Sequence, residues 1–204
     1  MSLALWLAFL VASILISVSP GPGAASSMSA GLSHGYRATI AVIAGLQVAL
    51  LLQLAVVFAG LGALLATSET AFAILRFAGA AYLVWLGIAK WRAAARPVTA
   101  TVADGRGLFV QGLLVNLSNP KAIVFSAALV PQFIDPTGSQ LLQFGIIAAT
   151  MCAVDIVVMS GYALLATSLR PWLASQRLLA MQNRVFGAVF VVAGGALALA
   201  ARRA

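Results

Sequence analysis

The sequence predicts an all-α integral membrane protein with about six transmembrane helices in a 3+3 inverted-topology repeat, helices one and four being broken at proline motifs. Three observations lead there. Only 8% of the 204 residues are charged and 63% are hydrophobic, whereas a soluble domain carries about 25% charged residues. Prolines interrupt the first and fourth apolar stretches near their middles, at Ser19-Pro20-Gly21-Pro22-Gly23 and at Ser118-Asn119-Pro120-Lys121. Basic residues collect in alternate connections between the apolar stretches.

A helix needs about 20 residues to cross the hydrocarbon core. Six segments qualify, at approximately 3–33, 38–66, 71–90, 107–134, 140–168 and 185–201. The first has no Lys or Arg ahead of its apolar run, so it reads as a retained helix and not as a cleaved signal peptide. Its midpoint falls at Val18, beside the first break. The third opens with Arg76-Phe77-Ala78-Gly79-Ala80, and Gly87 follows. The fourth has its midpoint at Pro120 or Lys121, so both breaks fall near the bilayer midplane. The fifth carries Asp155 at its middle. The sixth opens with Arg184-Val185-Phe186-Gly187-Ala188, and Gly195 follows, repeating the spacing of the third. Three helices per half turn the second half upside down, which is an inverted repeat. The expected division of the single membrane domain, 1–204, is a first repeat over 1–91, a polar cytoplasmic linker over 92–106 and a second repeat over 107–204.

Charge fixes the expected orientation. Arg37 lies between segments one and two; Lys90, Arg92, Arg96 and Arg106 between three and four; Arg170, Arg177 and Arg184 between five and six. The remaining connections hold only Glu69 and Asp135. Basic loops face the cytoplasm, which places both termini in the periplasm, although Arg202 and Arg203 oppose this. The net charge of +8 is spread among apolar stretches and forms no nucleic-acid module. The single cysteine, Cys152, excludes an intramolecular disulfide and a Cys-x-x-Cys device, and the single histidine, His34, excludes a His cluster for a transition metal.

Proline takes away a helix hydrogen bond, and hydrocarbon offers no water in its place. Such breaks persist where the backbone is covered by protein or lines a polar cavity, and matched breaks in two halves mark a transporter's binding site. Each break starts a half-helix whose free N–H groups and positive dipole end favour an anion such as a carboxylate. Ser19, Pro20, Gly21, Pro22 and Gly23 from one break, and Asn119, Pro120 and Lys121 from the other, are therefore the expected substrate-binding residues, with Gln53 of helix two. Asp155 joins them, because an acid deep in the bilayer costs about 2.5–3.5 kcal/mol on insertion scales and is functional by default. It can hold a substrate ammonium, a proton, or each in turn; the plainer reading is an ion pair with Lys121. Gln47, Gln53 and Asn116 are each more often interhelical hydrogen bonds than ligands. Gly60, Gly62, Gly79, Gly87, Gly187, Gly194 and Gly195 read as close helix-packing points.

Several of these runs resemble the LysE/RhtB family of lysine and homoserine-threonine exporters. The points of likeness are Ser19-Pro20-Gly21-Pro22, Gly31-Leu32-Ser33-His34-Gly35, the run from Gly79 to Gly87, Asn116-Leu117-Ser118-Asn119-Pro120-Lys121-Ala122 and Pro131-Gln132-Phe133. The resemblance implies a secondary transporter of the bacterial inner membrane that exports amino acids or close derivatives. It leaves the substrate open, and the part given to Asp155 rests on physical argument alone. Protons are the expected coupling ion, and no cofactor or metal is expected. Partners are the amino acid, protons and the lipid bilayer, with a homo-oligomer allowed. A cation or metal-ion exporter of similar architecture is the alternative; it would need several Asp, Glu, His or Cys ligands at the midplane. An enzyme would need a nucleophile–base or metal constellation, and none is visible in the sequence.

Overall fold

A chain this apolar offers its backbone few partners but itself, and helices satisfy every internal N–H and C=O within one segment. The computed structural model describes residues 1–67, 69–92, 107–135 and 137–166, with helical positions scattered over 177–195; among these residues there is no strand. The linker expected over 92–106 therefore lies almost wholly outside the described residues, as does most of the connection before the last helix.

Helix α1 spans Leu3–Val18 and is capped by Ser2, whose hydroxyl accepts from the Leu5 N–H. It stops at Ser19, which is extended (φ −66°, ψ 117°) and donates its N–H back to Leu15. Helix α2 spans Pro22–Thr67. Pro22 stands at its first position, where a missing N–H costs nothing. Gly35 divides α2 with φ 77° and ψ 169°, a conformation that side-chain-bearing residues avoid. The run from Gly31 to Gly35 is thus helix as far as His34, and the single glycine makes the corner. Helix α3 spans Glu69–Arg92 and α4 spans Leu108–Leu117. After a break at Ser118 and Asn119, α5 spans Pro120–Val124. It loosens into a π turn at Phe125–Leu129 and tightens into a 3-10 turn at Val130–Phe133. In the following loop Asp135 accepts from the hydroxyl and the N–H of Thr137, which hold its carboxyl below the usual carboxylate range. Helix α6 spans Gln140–Leu164 and is capped by Ser139.

This is an all-α membrane protein. Two described helices are long and apolar enough to cross a bilayer: Pro22–Leu61, taken through its corner, and Gln140–Leu164. The pair Leu108–Leu117 and Lys121–Phe133, bent by 59°, is a third if counted as one broken span. The first apolar segment is broken as its proline motif predicts, into α1 and the part of α2 before Gly35.

Helix directions follow from the contacts. Trp6 donates its ring N–H to the Thr150 hydroxyl at 3.1 Å, Ser17 meets Asp155, and Gly31 abuts Ala163, so the first segment runs alongside α6 in the same direction. Val42 lies against Gly112 and Leu46 bonds Asn116, so the later part of α2 runs parallel to α4. Gly87 meets Gly187 and Ala80 meets Gly194, so α3 and the last helical residues run antiparallel. Of the glycines expected at packing points, Gly87, Gly187 and Gly194 touch backbone, whereas an added Cβ on Gly60 or Gly195 meets nothing within 4 Å. The closest approach is one the sequence did not single out, Gly45 and Gly112 between α2 and α4.

Two apolar clusters hold the bundle. One gathers Phe9, Leu50, Leu54, Phe125, Phe133 and Ile147, with Phe9 edge-on to Phe133 at 5.2 Å. The other gathers Val42, Leu46, Leu108 and Met159. Replacing Gly35 by alanine should cost about 1–3 kcal/mol, the strain of a forbidden backbone conformation, since the added methyl itself meets nothing within 4 Å. A thermal melt of the purified protein checks this.

A candidate site between two broken helices

The two breaks face each other. Lys121, the second residue of α5, sends its ammonium across to the end of α1, where Nζ donates to the Ile16 carbonyl at 2.7 Å and to the Ser19 carbonyl. A Cβ built on Gly21 would lie 3.5 Å from that Nζ, in ordinary van der Waals contact, so the lysine passes directly beside the start of α2. A network of amides fixes the second break. The Asn119 side chain caps α5 by accepting from the Lys121 N–H at 3.1 Å. Asn116 donates to the Leu46 carbonyl and Gln53 donates to the Asn116 carbonyl, both at 2.8 Å, tying α4 to α2 just before the chain breaks.

Asp155 approaches from α6. Ser17 of α1 donates to its Oδ1 at 3.3 Å and Gln47 of α2 donates to its Oδ2 at 2.7 Å. The Gln47 side chain is buried, and its Oε1 has no hydrogen-bond partner. Tyr162, two turns further along α6, donates to the Val18 carbonyl at 2.8 Å. The end of the first half-helix is thereby held by a lysine from one side and a tyrosine from another.

These groups surround a cavity of about 50 Å³. Ser17, Asn116, Asn119, Lys121 and Asp155 give its polar wall. Leu46, Leu50, Phe125, Met151 and Met159 give its apolar wall, drawn from both clusters of the core. Gly21, Gly23 and Ala24 bring in the start of α2. The volume admits a few water molecules. A cation and an anion set across a small cavity, each held by neutral partners, suit a zwitterion. Among the described residues no group of three or more His, Cys, Asp or Glu could hold a metal ion.

The sequence pattern of the LysE type translocators matches residues 14–201. The chain belongs to this family. It is similar to the homoserine/homoserine lactone efflux protein of Salmonella typhimurium, with 48% identity over 96% of each chain. It is 43% identical to an uncharacterized membrane protein of Vibrio cholerae over 98% of this chain and 99% of the relative. It is 32% identical to the leucine efflux protein of Salmonella choleraesuis over 90% of this chain and 89% of the relative. No solved structure matches it.

In this translocator Gly21, Gly23, Asn119, Lys121 and Asp155 line one cavity, and Ser19 joins it through its carbonyl. Pro20 and Pro22 shape the first break without lining the cavity, and Pro120 opens α5 at the second. Gln53 is not among the lining residues; it braces α4 through the Asn116 carbonyl. Sequence reasoning named Gln47 as a helix-to-helix bond, and here it bonds Asp155 itself. It passed over Ser17, Met151 and Met159. For Ser17 a signal existed: a serine two residues ahead of the break sits on the half-helix end that the site uses.

Proposed function

We propose that this translocator is a secondary transporter of the bacterial inner membrane that exports amino acids, with homoserine and its close derivatives first among them. The observation that carries the reading is the pair of broken helices meeting at one cavity that holds both Lys121 and Asp155. Its resemblance to proteins named for homoserine and leucine efflux supports amino acids as the class. The substrate carboxylate lies at the start of α2, near Gly21 to Gly23 and beside Lys121, where free N–H groups and the dipole favour it. Its ammonium lies at Asp155. The metal-exporter alternative lacks its ligands among the described residues.

Export against a gradient needs a driving ion, and proton exchange fits the Asp155 surroundings. With Asp155 ionised, the Gln47 NH2 donates to it. With Asp155 protonated, a turned Gln47 amide would present Oε1, now unpartnered, to accept the proton. One residue thus serves both charge states.

The helix directions support six spans in two inverted halves. If each segment reverses the last, segments one and five run parallel, two and four run parallel, and three and six run antiparallel; the contacts of Trp6, Val42 and Gly87 have these senses. The positive-inside rule then puts the basic connections in the cytoplasm and both termini in the periplasm.

The test is counterflow in proteoliposomes loaded with unlabelled homoserine, leucine, lysine or glutamate. Labelled homoserine should accumulate against the homoserine load and far less against glutamate. Equal traces for all loads and for empty vesicles would refute amino-acid export.

A further inference from the structure

The last carbonyls of a helix have no partners within it and carry about half a negative charge between them. In broken-helix transporters, carbonyls of this kind coordinate the driving cation. The end of α1 is such a place. Leu15 O accepts from the Ser19 N–H at 3.2 Å and Val18 O accepts from Tyr162 at 2.8 Å. Ile16 O and Ser19 O converge instead on one positive atom, Lys121 Nζ. Asp155 adds its carboxylate to the same cavity. Two carbonyl oxygens and a nearby carboxylate form a set that a hard monovalent cation would choose.

We infer that Lys121 is a tethered cation, its ammonium filling a monovalent-cation site at the broken end of α1 that a free alkali ion would take if the lysine were absent. The ammonium has three donors and no acceptor, so it replaces an ion at carbonyl oxygens without changing the sign of any contact. Being covalently attached, it costs no ion binding, and the protein as it stands has no use for sodium at this place. Gly21 flanks the site, its Cβ position lying in ordinary contact with the lysine stem at 3.5–3.8 Å. Removing the ammonium takes away the positive charge that the Ile16 and Ser19 carbonyls share, which loosens the break. An ion from solution can then relieve it.

The experiment uses the full-length protein and two variants, Lys121→Ala and Lys121→Met, purified in choline chloride and melted with added lithium, sodium or potassium chloride. At least one alkali ion should raise the melting temperature of a variant by about 5 °C or more, as expected for a ligand well above its dissociation constant. The unaltered protein should not move. In counterflow, the same ion should raise the variant's rate roughly fivefold or more over choline by restoring the competent state, while the unaltered protein runs equally in every salt. This transport arm alone rests on the export reading; the melting arm stands if no substrate is found. Ion-independent melting of a folded variant overturns the inference. So does full variant activity in choline, or failure of both variants to fold in any alkali salt as in choline.

Discussion

Asp155→Asn should abolish proton-driven export and weaken substrate exchange by roughly ten- to a hundredfold, which is what losing a charged hydrogen bond of about 1.5–3 kcal/mol would do. The replacement keeps the shape of the side chain; its one oxygen can accept from Ser17, and its new NH2 can donate to the Gln47 Oε1 once that amide turns. With Gln47 turned, the chief loss is the charge that an ammonium or a proton would seek. The melting temperature should hold or rise, since a buried charge is expensive and its loss is a relief. Stability kept and transport lost would separate a working residue from a merely structural one. Wild-type transport with an unchanged pH dependence would make Asp155 a packing residue and end the proton-exchange mechanism, leaving the paired breaks to support the transporter reading alone.

The largest effect on folding should come from Gly112→Ala and Gly45→Ala. A Cβ on Gly112 would lie 2.1 Å from the Val42 carbonyl oxygen, and one on Gly45 would lie 2.1 Å from that of Phe109. Both obstacles are backbone, so no side chain can turn aside; α2 and α4 would have to separate along their whole contact. Overpacking costs about 1–3 kcal/mol where neighbours can give, and this site belongs at or above the top of that range. Neither variant should yield folded protein comparable to the parent by size-exclusion in detergent. Gly60→Ala is the control, because its added methyl meets nothing within 4 Å and helix propensity favours alanine by about 1 kcal/mol. Normal yields of Gly112→Ala would mean that the α2–α4 contact is looser than described.

What the sequence revealed of this fold follows from which residues carry an unavoidable local cost. Pro20 and Pro120 cannot continue a helix wherever they are placed, so their breaks were legible. Asp155 cannot sit in hydrocarbon without a reason, so it was legible too. The carbonyl partners of Lys121 were not, because which carbonyls an ammonium reaches at a helix end depends on the folded path of α1. Gln47 and Gln53 illustrate the limit on one helix. Six residues apart, they point about 120° away from each other, and composition gives no hint which of them reaches Asp155. Gly45 and Gly112 were missed for a similar reason: a glycine announces that something can come close, not what does. The family resemblance filled part of this gap, since the stretch covered by the translocator pattern, 14–201, includes the Asn119-Pro120-Lys121 run.

The size of the central cavity bears on when such a protein works at all. At about 50 Å³ it has room for a few waters. Loading therefore waits on a wider and rarer arrangement, and apparent affinity falls by the fraction of time spent in it. For an importer this would be a handicap. For an exporter it is a threshold: metabolite at ordinary concentrations stays inside, and outflow grows only when the pool has swollen past what the cell can use. The narrow interior of the resting protein would then act as the set point of a relief valve.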